Sequence, residues 1–427
     1  MLAQEVMDFL EENDVKFVRL AFPDLFGKLK NIAIQPDLLA EAFEQGIPFD
    51  AAAVDGFQSG ERGDLLLRPD PETLCILPWR PQAGGRVCRL LCDVVTADGQ
   101  PYEGDTRGIL RKAKDLANDR GFSIRIGAEC EFYLFEADEQ SRITDRPQDR
   151  GGYLDVAPLD RGEDVRREIC LTLMSMNIRP ELSHHERGPG QNEIDFHRAD
   201  PLTGADHLVA FHNAVRTVAT RYGLSASFMP KPLPDEFGNA FKVNFALFRD
   251  RVNLFHMEKG QLLPEAKAAM AGVLNRLADM TLFLNPIPNS YDRLTDGETP
   301  NRICWSHQRK LNAVRVPLPQ HRFARIQIAS ADSLSNAYLA YALIILAALE
   351  GIERDEELPE AVTHSWEDMP VLPESLTDAI AAAKDSDFIK RSLPQSVLDS
   401  FLCNAEEMLL LNRQDKTSLF QKQFECF

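Results

Sequence analysis

Two glutamates seven residues apart, Glu186 and Glu193, lie in the stretch Ser183 to Phe196 (SHHERGPGQNEIDF) and bracket Gly188-Pro189-Gly190. Glycine and proline between extended flanks predict a hairpin, with the two carboxylates facing one another near its closed end. Anions held that close repel unless a cation lies between them, so the pattern points to a divalent metal site. A polar surface hairpin without a ligand is the plainer alternative. Upstream, Gly127 to Phe135 (GAECEFYLF) adds Glu129 and Glu131. Residues two apart in a strand share a face, so both glutamates turn one way while Cys130, Phe132 and Leu134 turn into the core. Four carboxylates on extended segments make an oxygen-rich set suited to Mg²⁺ or Mn²⁺.

The elements that must position these groups follow from periodicity and turn chemistry. Residues 1–13 predict a short helix; Lys16–Phe22, Leu29–Ile34 and Arg86–Val95 predict strands of a small α+β domain over residues 1–100. A larger domain, 101–427, has predicted helices at Asp105–Asn118, Arg161–Met176, Asp206–Tyr222 and Pro264–Leu284. A further helix is expected from Asp332, as its cap, to about Gly351. Predicted strands lie at Phe122–Phe135, Ala226–Leu233, Lys242–Phe248, Ala313–Pro317 and Arg325–Ala329, with 136–160 irregular and Asn285–Pro300 a loop. This order implies a mostly antiparallel sheet backed by helices.

Composition narrows the partners. The 427 residues carry 47 Lys plus Arg against 66 Asp plus Glu, a net charge of −19. That balance argues against a nucleic-acid backbone or an anionic membrane as the main partner. Eight scattered cysteines, with only Cys88 and Cys92 close together, complete no zinc pattern and fit free thiols in a reducing cytoplasm. The acidic N-terminus has no secretory pattern, and Ala337–Leu349 is too short to span a bilayer.

Read together and in order, GAECEFYLF, SHHERGPGQNEIDF, FMPKPL (Phe228–Leu233), NPIPNSYDRL (Asn285–Leu294) and NAYLAYALIILAALEGI (Asn336–Ile352) resemble glutamine synthetase of the bacterial type, as does IPFD, ending at Asp50. The resemblance implies a β-grasp-like N-terminal domain and a large catalytic domain with a curved antiparallel sheet. It also implies stacked hexameric rings with active sites shared between neighbours, and a reaction in which ATP phosphorylates a carboxylate before ammonia displaces the phosphate. By the same resemblance Glu131, Glu186 and Glu193 hold the first metal ion, and Glu129 belongs to the second. Asp50 comes from a neighbouring subunit near the ammonium site, and Glu298 takes a proton from ammonium. Arg293 grips the substrate carboxylate, with Gly238 in the substrate-binding stretch, and Arg315, Arg325 and Lys310 lie near the nucleotide and phosphates. His184 and His185 read as supporting residues rather than ligands.

The pattern departs from the family at one place. The family's metal-binding histidine is Lys242, its substrate-holding asparagine is Phe237, the second metal's glutamate is Gln327, a phosphoryl-site arginine is Ala329, and another arginine is Lys310. The charges of Glu129, Lys242 and Gln327 (−1, +1 and 0) cancel without a metal, and a protonated lysine cannot ligate one. The expectation is that Lys242 pairs with Glu129 and fills the second-metal site, leaving one divalent ion beside ATP. Two functions follow: a ligase joining a small-molecule carboxylate to ammonia or an amine, with altered substrate choice, or a catalytically silent paralogue that senses or assembles.

Overall fold

The computed structural model describes residues 2–57, 64–80, 84–257, 261–308, 311–318, 324–364 and 366–426. The N-terminal part comprises α1 (Ala3–Glu12), β1 (Val15–Pro23), β2 (Leu29–Ile34), α2 (Leu39–Glu44), β3 (Ile47–Phe49), β4 (Leu65–Pro69), β5 (Cys75–Ile76) and β6 (Arg86–Val95). Its sheet runs β2-β1-β6-β4-β3 with β5 beside β6, and β1 and β6 are parallel. Apolar residues alternate inward from these strands, and Val18, Leu20, Leu67 and Leu90 form a core of their own with Val6 and Leu10 of α1.

The second part continues through α3 (Thr106–Asp119), β7 (Phe122–Ala137), β8 (Ile143–Pro147), α4 (Glu163–Ser175), β9 (Pro180–His185), β10 (Gln191–Ala199), α5 (Pro201–Arg221) and β11 (Leu224–Ser227). Then come β12 (Phe241–Arg249), β13 (Val252–Asn253), α6 (Pro264–Leu284), α7 (Pro288–Leu294), β14 (Arg302–Ser306), β15 (Asn312–Arg315) and β16 (Ile326–Ile328). Helices α8 (Ala337–Glu353), α9 (Leu376–Asp385), α10 (Asp387–Ser392), α11 (Gln395–Gln414) and α12 (Lys416–Cys426) complete it. The sheet order is β14-β15-β16-β12-β7-β10-β9, with β8 and β11 also on β7 and β13 on β12. Most pairings are antiparallel; β14 and β15 are parallel.

Helix α8 is apolar on nearly every side and is correspondingly buried. It crosses α6 where Gly351 meets Gly272: a Cβ on Gly272 would lie 2.2 Å from the Ala347 carbonyl oxygen and 2.7 Å from Gly351 Cα. The cap of α8 is Asn336, whose side chain accepts from the Tyr338 and Leu339 amides, and not Asp332 as the sequence suggested. Asp332 instead accepts from the Leu334 amide in the preceding turn. Asn336 also donates to the Leu25 carbonyl (3.0 Å), fixing the β1–β2 turn to the second part. A second tie is the buried Arg107 on α3, which bonds Asp70 (2.7 Å), Asp206 (3.1 Å) and Asp93, so one guanidinium joins β6 and the turn after β4 to helix α5.

Two expected loops hold structure, and one strand falls where the sequence reading assigned no element. Strand β8 lies within the stretch expected to be irregular, β14 was not anticipated, and α7 occupies half of the expected proline-rich loop. The last helix folds back on the sheet: Phe424 packs edge-on against Phe135 of β7 (5.1 Å), and Phe420 stacks on Phe424 (6.2 Å). Among the described residues no helix is long and apolar enough to cross a membrane.

Candidate active site

The alternation expected for β7 holds. Cys130, Phe132 and Leu134 enter the main core, while Glu129 and Glu131 face a row of polar groups on the neighbouring strands. Register sets the row: Glu131 stands opposite Glu193, Glu129 opposite both Asp195 and Lys242, and Gln327 opposite Asn244 and Arg315. Like charges directly across a strand pair are unfavourable, so this sheet face requires a cation. Lys242 supplies it. Its Nζ lies 2.6 Å from Glu193, 3.1 Å from Glu131 and 3.6 Å from Glu129.

The expected Lys242–Glu129 pair is present, but it is the longest of three. Glu129 is the most distant of the three, because its Oε1 already accepts from the amides of Gln327 (2.6 Å) and Asn244 (3.0 Å). The lysine therefore leans toward the carboxylates expected to hold the first metal. The hairpin also differs in detail. His184, not Glu186, is opposite Glu193, and Glu186 sits just beyond the end of β9, its amide donating to the Gln191 carbonyl.

The electrostatics follow from this crowding. Burial pushes the Glu131 carboxyl up to about 7, with Lys242 opposing the rise and Glu193 adding to it. Asp195, which the sequence reading passed over, is pushed up to about 9 by burial and by the charges of Glu193 and Glu129. Its Oδ1 is buried without a hydrogen-bond partner. Burial and Glu131 also raise Glu186. Burial works against the Lys242 ammonium, but the surrounding carboxylates outweigh it and hold its pKa well above that of a free lysine.

Among the described residues three donor groups are compact enough for a divalent ion: His184, Glu186 and Glu193; Glu129, Glu193 and Asp195; and Asp149, Asp160 and His185, with ligand atoms in each group within 4.8 Å of one another. The imidazole and carboxylates of the first group fit such an ion, so His184 joins the donor set from which the sequence reading left it out. Glu131 belongs to none of these groups and turns to Lys242. His185 is a support: it bonds Asp149 (2.9 Å) and the Glu186 carbonyl (2.7 Å), and these bonds raise its pKa against the effect of burial.

A cleft of about 750 Å³ opens over this row. It is lined by Glu131 and Glu186, by Phe237, Lys242, Gln327 and Ala329, where the sequence suggested departures from the family, and by Gly238, Arg293, Glu298 and Arg315. Gly238 has no room for a side chain, since a Cβ would lie 2.7 Å from the Pro230 carbonyl oxygen and from Arg293 Cγ. Arg293 is buried and donates to the carbonyls of Ser330 (3.2 Å) and Ala331 (2.7 Å). Arg325 donates to Asn244 (2.7 Å) and approaches Glu129 (3.7 Å). Asp50 does not line this cleft; it is exposed on the N-terminal part, where its carboxylate caps a single turn at Ala52. Lys310 lies outside the described residues.

The sequence reading also missed Asn244, Gln191 and Arg187. Period two from Lys242 and from Glu193 would have found the first two.

A mixed sheet with a parallel central pair, set against a curved catalytic sheet with a carboxylate-lined cleft, defines a ligase class whose members use ATP and divalent metal ions. A family model described as the glutamine synthetase catalytic domain matches residues 103–418, and one described as the glutamine synthetase beta-grasp domain matches residues 14–97. The chain belongs to the glutamine synthetase family. It is 40% identical over 424 residues to a glutamine synthetase of Methanosarcina mazei, covering 95% of this chain and 93% of that one. It is 39% identical over 412 residues to one of Clostridium saccharobutylicum, covering 93% of each. Among solved structures, GmaS in complex with ADP superposes with a TM-score of 0.87 at 28% identity over 96% of each chain. The Plasmodium falciparum glutamine synthetase has the same fold, with a TM-score of 0.87 at 21% identity over 97% of each chain.

Proposed function

We propose that this protein is an ATP-dependent ligase that joins a small-molecule carboxylate to ammonia or an amine through an acyl phosphate, with a lysine ammonium in place of the second metal ion. The observation that carries this reading is Lys242 Nζ within 3.6 Å of three carboxylates, beside a cleft that retains Arg293, Arg315 and Glu298. Arg315 and Arg325 meet the nucleotide phosphates, Arg293 orients the carboxylate substrate, and Glu298 receives the proton released by the attacking amine. Asp50 completes the amine side from a neighbouring copy within a ring assembly, in the cytoplasm. One divalent ion, held by Glu186 and Glu193 with His184 or Glu131, would offset phosphate charge.

The Lys242 contacts also support a second reading, a silent paralogue, because the same ammonium occupies the carboxylates that a metal would need. Phosphate release from ATP, measured across carboxylates and amines with Mg²⁺ or Mn²⁺, separates the two. Turnover that depends on both substrates supports the ligase; nucleotide binding without turnover for any pair supports the silent form. Anomalous scattering from Mn²⁺-soaked crystals tests the ion count, and two fully occupied ions would refute the lysine substitution.

A further inference from the structure

We infer that Arg187 makes the amine side of this cleft selective for an acceptor that carries its own carboxylate; the inference rests on the ligase reading above. Arg187 follows Glu186 directly, and its amide donates to Glu186 Oε2 (3.1 Å), so its backbone is fixed to the carboxylate hairpin. Its guanidinium lies 3.7 Å from the centroid of the Phe237 ring, and its Nη1 donates to Glu298 Oε2 (2.9 Å). The platform beneath it is anchored. The Tyr133 hydroxyl donates to the Phe237 carbonyl (2.6 Å) and fills the space where a Cβ on Gly188 would sit, 2.0 Å away. Arg187 thus spans three walls of the cleft: the hairpin turn, the Phe237 loop and the loop carrying Glu298.

This placement bears on which amine can enter. A guanidinium in contact with Glu298 cancels the negative charge that would attract an ammonium cation and adds a positive charge beside it. Free ammonium is therefore disfavoured while the pair is closed. Both partners are about half exposed, with side-chain accessibilities of 48% and 55%, so the pair can exchange for another carboxylate at little cost. An acceptor with a carboxylate can take the Arg187 fork in a bidentate pair and release Glu298. Its amine nitrogen then attacks the acyl carbon. The C–N bond forms, the bond from that carbon to the phosphate oxygen breaks, inorganic phosphate leaves, and the amine proton passes to Glu298. Phe237 offers the acceptor's methylene carbons an apolar surface.

The test uses the full-length protein with ATP, Mg²⁺ and each carboxylate of the panel above, reading acceptor-dependent ADP release. The acceptors are glycine and β-alanine, compared with glycinamide, methylamine and ammonium chloride. Glycine or β-alanine should exceed glycinamide in kcat/KM by about tenfold or more, the worth of one charge-assisted hydrogen-bonded pair. Arg187→Gln should bring that ratio to about one by raising KM for the carboxylate-bearing acceptors, and Arg187→Lys should keep part of it. Wild-type turnover that ignores the acceptor carboxylate, or a ratio unmoved in Arg187→Gln, overturns this inference alone. Absence of acceptor-dependent ADP release for every pair overturns the ligase reading, and this inference with it.

Discussion

Replacing Lys242 with methionine isolates what the ammonium does, because the chain length is kept and the charge removed. Its Nζ is 2.6, 3.1 and 3.6 Å from Glu193, Glu131 and Glu129, and the lysine side chain is 18% exposed. Removing one partner of a fully buried ion pair costs about 3–5 kcal/mol, and residual exposure here brings the range down to about 2–4 kcal/mol. Proton uptake sets a ceiling. A carboxylate can escape the repulsion by protonating, at about 1.4 kcal/mol per pH unit above its free pKa, or roughly 4 kcal/mol at pH 7.5 and under about 1 kcal/mol at pH 5. The loss in Lys242→Met should therefore be about 3 kcal/mol at pH 7.5 and about 1 kcal/mol at pH 5. A divalent ion can replace the missing charge, so millimolar Mn²⁺ should restore much of the loss at the higher pH. The assay is urea unfolding followed by tryptophan fluorescence, at fixed protein concentration, in EDTA and in Mn²⁺. Wild-type stability in EDTA at pH 7.5, or a loss equal at both pH values and unmoved by Mn²⁺, would refute the reasoning.

Arg107→Ala should cost about 3–5 kcal/mol in the same assay, since it leaves Asp70, Asp93 and Asp206 without their shared cation. Limited proteolysis should then cut between the two parts of the chain sooner than in wild type. Gly272→Ala should destabilise by more than about 2 kcal/mol, because the new methyl group meets backbone 2.2 Å away and not a side chain that can turn aside; an unchanged melting temperature would show that α6 and α8 can separate freely. Thermal stability should peak near pH 5 and fall toward pH 8. Asp105 and Glu131, each raised to about 7, and Asp332, raised to about 6, contribute stability below their free values that is lost as pH climbs through the folded ones. Asp149 has the opposite sign: despite burial, its bonds from His185 and backbone amides hold it at about 2, so its contribution disappears only as pH falls below 4. A melting temperature that rises steadily from pH 5 to pH 8 would contradict this.

Long elements with one clear period were legible from residue types alone. Helix α6 begins and ends where Pro264 and Leu284 suggested, and β6 spans Arg86–Val95 as read. Short elements were not. Strand β14 owes its pairing to β15 and has no alternation of its own, and α7 starts at a proline that reads equally as loop or as first helical residue. The active site was legible as residues but not as contacts. Strand alternation placed Lys242 and Gln327 toward the cleft, yet the choice among three carboxylates depended on which oxygen the Gln327 and Asn244 amides had already taken. That competition exists only in three dimensions. Asp195 escaped notice because an aspartate two residues from Glu193 reads as solvated surface until both neighbouring strands, β7 and β9, cover it.

The return of α12 onto β7 bears on how copies of this chain can join. Phe424 and Phe420 are already covered at home, against Phe135. A tail with its apolar face occupied has none to lend to a neighbour. For it to clasp another copy, the segment would have to swing out at Asp415, between α11 and α12, and trade one set of contacts for an identical set. Such an exchange gains nothing in contact energy, and the short tether gives the home site a local concentration in the millimolar range. Any joining of copies must then draw on other faces of the molecule, which makes the tail a clasp closed upon its own chain.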